Sequence, residues 1–242
     1  MHEGQEAWDV LVGPGFLHAL RDAHEAATRI VFTRLSRSAG FKDRSFGYTS
    51  FDVLESQLDR VFRLGAFGPA DTDDPLLGAV ARANLNGSPG WRYGSYRVLL
   101  KRYDFGSVDG IRWDQASPTK QAVSKQDYAD DPQLALDLGG HDVPVVPGET
   151  SAPITLVLAH SASEEPLELE LFLGRPRFNA DGGSPWWWRR ALTREALGAD
   201  PRPARVEPTM PIWSEDELDV PLRLRAATGR TATGTTSSEP AR

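Results

Sequence analysis

The spacing of apolar residues changes its period part-way along this chain, and that change limits what it can fold into. From Gly15 to Ser38, Phe16, Leu20, Ala23, Ala27, Ile30, Val31 and Leu35 recur every three or four positions. That spacing lines one face of a helix, which Gly40 is placed to end. From Leu167 to Leu173 the leucines instead alternate with Glu168, Glu170 and Phe172, the period of a strand with one buried face. A chain that carries both periods in separate regions packs helices against a sheet, so the expected class is α+β.

The punctuation between these runs predicts the remaining elements. Thr49-Ser50-Phe51-Asp52 offers a hydroxyl cap and an acid for a first turn, which predicts a second helix burying Phe51, Leu54, Leu58, Val61 and Phe62 and closed by Gly65. Asp74-Pro75 predicts a third helix through Leu76, Leu77, Val80 and Ala83 to Asn86-Gly87. Ser95 to Tyr103 has strand composition, and Asp109-Gly110 between Val108 and Ile111 predicts a hairpin over 95–116. A polar, Asp- and Pro-rich loop follows over 115–153, then Ile154 to His160 and Leu167 to Leu173 predict a second hairpin over 154–173. Ser184-Pro185 predicts a C-terminal helix over 185–197, closed by Gly198.

The expected architecture is three N-terminal helices, an antiparallel sheet of four or more strands, and that final helix. Residues 1–225 form a single domain with a helical part over 1–88 and a sheet-containing part over 89–225. Pro201 to Pro221 is expected to drape across the domain through Met210, Ile212 and Trp213. From Ala226 the chain is Thr, Gly, Ser and Ala, too poor in apolar groups to offset its ordering entropy, so 226–242 is expected to be a disordered tail.

Composition removes several classes of chemistry. The chain has no cysteine, which excludes disulfides, thiolate metal sites and a cysteine nucleophile. Acids at Glu3, Glu6, Asp9, Asp22 and Glu25 argue against a signal peptide, and nowhere do enough apolar residues run together to span a membrane, so a cytoplasmic location is expected. A net charge of −7 disfavours non-specific attraction to phosphate backbones by the molecule as a whole. No Walker loop, nucleophile elbow, His-Glu-x-x-His or dinucleotide fingerprint is present. Asp104-Phe105-Gly106 matches the magnesium tripeptide of kinases, but none of the companion kinase motifs occurs.

Two segments carry the binding expectation. Arg29, Arg34, Arg37, Lys42 and Arg44 face a single acid, Asp43, and Phe41, Phe46 and Tyr48 lie among and beside them. Cations hold phosphates and rings stack on bases, although the same pattern suits an acidic protein partner. The second is Trp186-Trp187-Trp188-Arg189-Arg190. On a helix three consecutive rings point 100° apart, so at least one is expected to be exposed beside arginine, the chemistry of binding hot spots.

The competing reading is metal-dependent chemistry. Glu168 and Glu170 project from one strand face and, with Asp104, Asp109 or Asp114 from the neighbouring hairpin, would make a carboxylate cluster for a cation such as Mg²⁺. In this the strand resembles the acid-bearing strands of the PD-(D/E)XK nucleases, with Phe172 standing where those enzymes carry lysine. His141, beside Asp142 in a Gly-rich loop, is the candidate acid–base group, with His160 a further one. Asp127, Asp130, Asp131, Asp137 and Asp142 lie in a stretch without Lys or Arg but lack an EF-hand's spacing, and His18 and His24 are too far round their helix to share a metal.

The sequence therefore reads as a cytoplasmic, non-catalytic binding or regulatory protein without a cofactor, engaging a nucleic acid or a protein through these two segments. The alternative is a metal-dependent phosphodiesterase or nuclease.

Overall fold

The computed structural model describes residues 3–67, 74–128 and 153–203. Residues 204–242, including Met210, Ile212, Trp213 and the expected tail, lie outside the described residues, as does His141.

The helical period is realised in three helices, α1 (Glu3–Val12), α2 (Phe16–Arg34) and α3 (Asp43–Val61). The first of these was not expected, although Gly4, Ala7, Trp8 and Leu11 have the spacing of one buried face. Gly15, at φ +84°, makes the corner into α2; a side chain there would be strained and would run into Arg202. The third helix begins at Asp43, ahead of the expected cap at Thr49-Ser50, with Asp43 as its first-turn acid.

The expected helix over 74–87 does not form. Asp74 folds its carboxylate onto the Leu76 amide at 2.9 Å, and Gly78 turns the chain at φ +73° into strand β1 (Val80–Arg82). Asn86 and Gly87 both have positive φ and sit between Leu85 and Ser88, which exchange both backbone hydrogen bonds at 2.9 Å. Asn-Gly is thus the primed two-residue turn of a hairpin, not a helix terminus.

The other strands are β2 (Gly90–Tyr93), β3 (Tyr96–Arg102), β4 (Ile154–Ser163), β5 (Glu168–Pro176) and β6 (Trp186–Ala191), forming one six-stranded sheet in sequence order. The class is α+β and the sheet is mostly antiparallel, with β3 and β4 as its parallel pair. The hairpin expected over 95–116 is corrected: β3 pairs backwards with β2 around Gly94-Ser95, and Asp109-Gly110 belongs to a single 3₁₀ turn at Val108–Gly110. A parallel neighbour needs a long crossover, which begins with this irregular stretch and helix α4 (Pro118–Ser124), capped by Ser117. The hairpin over 154–173 forms as expected, as β4 and β5.

Helices α1–α3 cover one sheet face, where Leu11, Phe16, Leu20, Leu54 and Leu58 meet Val98, Leu156, Leu158, Leu171 and Leu173. The start of the crossover covers the other, through Tyr103, Ile111, Trp113 and Val123 against Leu99, Val157 and Ala159. Strand β4 is buried from both sides, so Leu156 to Ala159 reads as a continuous apolar run without alternation.

Trp186 to Leu197 does not form the single helix expected. A C-terminal helix exists, but it is confined to α5 (Arg194–Leu197), capped by Thr193 and followed by Gly198. The three tryptophans lie on edge strand β6, as aromatic β-propensity favours, and the Pro185 carbonyl accepts from Arg177 at 2.8 Å instead of starting a helix.

Candidate functional site

The last half of α2, the start of α3 and the ends of β3 and β4 converge on a cavity of about 80 Å³. Its apolar wall is Val31, Phe46 and Leu54, and its polar groups include His24, His160, Arg37, Arg102 and Glu164. His24 comes from the buried face of α2 and His160 from β4, and their rings meet edge to face with centroids 5.5 Å apart. Both are nearly inaccessible, at 3% and 4% exposure. The Nε2 atom of His160 has no hydrogen-bond partner among the described residues.

Burial and positive neighbours keep both rings neutral near pH 7. Burial, then Arg21, lowers His24 from 6.5 to about 4, against a smaller opposing pull from Glu25. His160 is driven well below its ordinary value by burial, then by His24, Arg102 and Lys101. Arg37 bridges the mouth: it donates to Asp43 at 2.5 Å, lies 3.4 Å from Glu164, and its guanidinium sits 5.1 Å from the centre of the Phe46 ring. Arg102 approaches α3 at Gly47, where a Cβ would meet its Nη1 at 2.6 Å. Glycine at that position is what lets the guanidinium reach the helix backbone.

Of the basic segment expected from the sequence, which runs from α2 into α3, Arg37 and Phe46 line this cavity. Arg29 pairs with Glu25 at 2.6 Å, and Arg37 is engaged as above. Arg34, Lys42 and Arg44 have no carboxylate partner among the described residues. Phe46 is buried, whereas Phe41 is 40% and Tyr48 62% exposed, and the Arg44 guanidinium lies 5.4 Å over the Tyr48 ring. No family model, curated protein or solved structure matches this chain.

The tryptophan segment is spent largely on internal packing. A register shift between Arg175 and Pro176 sends Trp186 and Trp188, two residues apart, into opposite cores. Trp186 donates to the Val108 carbonyl at 3.2 Å and meets Trp113 edge to face. Trp187 stacks on Tyr128 with centroids 4.8 Å apart. Trp188 covers Gly4 of α1 and donates to Glu3 at 3.2 Å. Arg189 makes a paired contact to Asp109 at 2.7 and 3.1 Å, and Arg190 donates to Gln5 while lying over Trp8.

The carboxylates of the metal reading are not gathered. Glu170 accepts from the Tyr103 hydroxyl at 3.0 Å and the Gly106 amide at 2.8 Å, and burial, then this carboxylate, raises the Tyr103 hydroxyl well above its ordinary value. Asp109 is held by Arg189, Asp114 by Arg112 at 2.5 and 2.8 Å, and Asp104 and Glu168 are exposed. The arginine holds Asp114 below the usual carboxylate range. Among the described residues no three His, Asp or Glu side chains are placed to hold a metal ion. No helix among them is long and apolar enough to cross a membrane.

The histidine pair was not legible in the sequence as a pair. His24 stood on a helix face and His160 ended an apolar strand, and only the tertiary fold shows that these two ends meet.

Proposed function

We propose that this chain is a non-catalytic binding protein that holds the phosphate backbone of a nucleic-acid strand at the corner between α2 and α3. The observation that carries the reading is that Arg34 at the end of α2 and Lys42 and Arg44 at the start of α3 have no acidic partner among the described residues, with Arg44 lying over the exposed Tyr48 ring. Unpaired cations attract phosphates, and an open ring gives a base a stacking surface that tolerates any sequence. The net charge of −7 does not oppose this locally, because at physiological salt charges beyond about 8 Å are largely screened.

Anisotropy of labelled random single- and double-stranded oligonucleotides across a salt series tests the reading. Neutralising phosphates with these cations gives log K a slope of roughly −0.7 per contact on a single strand, so about −2 for the group. Replacing Arg34, Lys42 and Arg44 together by alanine removes that slope, and Tyr48→Ala weakens single-strand binding by about 1–3 kcal/mol. Absence of binding at low salt discards the nucleic-acid reading and leaves an acidic protein as the partner of this corner.

A further inference from the structure

We infer that the cavity between α2, α3 and the end of β4 is a site for a small tetrahedral oxyanion, a phosphate group, held by Arg102, Arg37 and the His24–His160 pair. The inference concerns the cavity and not Arg34, Lys42 and Arg44, so it does not depend on a strand being bound at the corner.

The size of the cavity sets the scale of the ligand. A site needs roughly 10–15 Å³ to admit one water, so about 80 Å³ has room for a group of a few heavy atoms such as a phosphate. The polar groups set its sign. Two guanidinium groups and two imidazoles line the space, with Thr28, Ser50 and Ser161 as further hydroxyl donors. Arginine presents a planar fork of donors suited to a phosphate, and its charge survives burial.

The decisive group is His160. A polar atom buried this deeply without a partner is costly, and native proteins rarely leave one so. As the N–H tautomer, Nε2 would donate to an oxyanion in the cavity. A cation is the wrong occupant, because Arg37 and Arg102 line the same space and, among the described residues, His24, His160 and Glu164 are not placed together to hold a metal ion.

Among the described residues Glu164 is the only acid lining the cavity, and it lies 3.4 Å from Arg37. It occupies the arginine that an entering anion would use. Binding thus exchanges the Glu164 contact for the ligand, and removing its charge strengthens binding. A phosphate group has two natural sources: free inorganic phosphate, or the terminal phosphate of a strand held at the corner between α2 and α3.

The experiment titrates inorganic phosphate into the full chain, with calorimetry for affinity and the imidazole Cε1–H signals of His24 and His160 as the local probe. Saturable binding that moves both signals is expected, weakened at least tenfold in Arg102→Ala and strengthened severalfold in Glu164→Gln. Arg102 is exposed, so the alanine variant should keep the wild-type melting temperature, which is measured alongside. Unmoved histidine signals at tens of millimolar phosphate would overturn the inference, as would binding indifferent to both substitutions. A second arm compares oligonucleotides carrying a 5′-phosphate or a 5′-hydroxyl. Preference for the phosphorylated end, lost in Arg102→Ala, assigns the terminal source; equal binding of the two ends with free phosphate still bound assigns the free anion. Failure of every oligonucleotide to bind would remove the strand reading and leave the phosphate site standing.

Discussion

Acid should destabilise this protein earlier than its carboxylates alone would, and the burial of His24 sets the pH at which it begins. His24 titrates near 6.5 in an unfolded chain and near 4 in the folded protein. The unfolded state therefore binds the proton more tightly, so stability is full above about pH 6.5 and falls as pH drops towards 4. Across the whole window the depressed value corresponds to about 3 kcal/mol, and between pH 7 and pH 5 to about 2 kcal/mol, before most carboxylates titrate. Burial fixes the direction, Arg21 on α2 opposes a charge on the ring in the same sense, and Glu25 offsets them only in part; a charge on the facing His160 of β4 is opposed by burial, then by His24 and by Arg102 and Lys101 from β3. Protonation of His160 is suppressed in the same sense and adds to the effect.

The assay is urea unfolding followed by tryptophan fluorescence at half-unit steps from pH 7.5 to 5 in a phosphate-free buffer. The wild type should lose at least about 2 kcal/mol over that range. His24→Gln, which puts a neutral polar side chain in the ring's place, should lose about 2 kcal/mol less between the same two pH values, whatever its absolute stability. Equal pH slopes for variant and wild type, with equal m-values, would refute the account and mean that His24 titrates near its ordinary value in the folded state.

Gly174→Ala on β5 should destabilise by about 1–3 kcal/mol, because a Cβ there would sit 2.7 Å from the Trp186 ring and 2.9 Å from the Trp188 carbonyl; thermal melting checks this, and an unchanged melting temperature would mean that β6 shifts freely. Asp59→Ala should cost about 1–3 kcal/mol by leaving the indole N–H of fully buried Trp91 without its 3.1 Å acceptor, whereas Asp59→Asn, which keeps an oxygen there, should recover part of the loss in the same denaturation assay.

What was legible in the sequence divides along physical lines. The α2 face and the Leu–Glu alternation of β5 were readable because burial on one side leaves its period in the residues themselves. Turn chemistry was readable as turn chemistry but ambiguous in what it joined. Asn86-Gly87 closes a hairpin where a helix end was expected, and Ser184-Pro185 precedes a strand where a helix start was expected. In both cases the same residues satisfy either geometry, and the pairing of neighbouring strands decides between them. Edge strand β6 is the plainest instance, since three bulky aromatic residues favour a strand, and the cap signal pointed the other way. The cavity is illegible for a different reason. His24 and His160 reach one another only because parallel pairing of β3 with β4 brings the end of β4 beside Arg102 and beneath α2. Parallel pairing demands a long crossover, so the residues it unites are far apart in the chain and no local spacing records them. The basic segment, by contrast, is one continuous stretch from Arg29 to Tyr48, and it was visible from composition alone. Local charge marked the segment proposed to hold a strand, and only the tertiary contact between two buried imidazoles marks the cavity proposed to hold an anion.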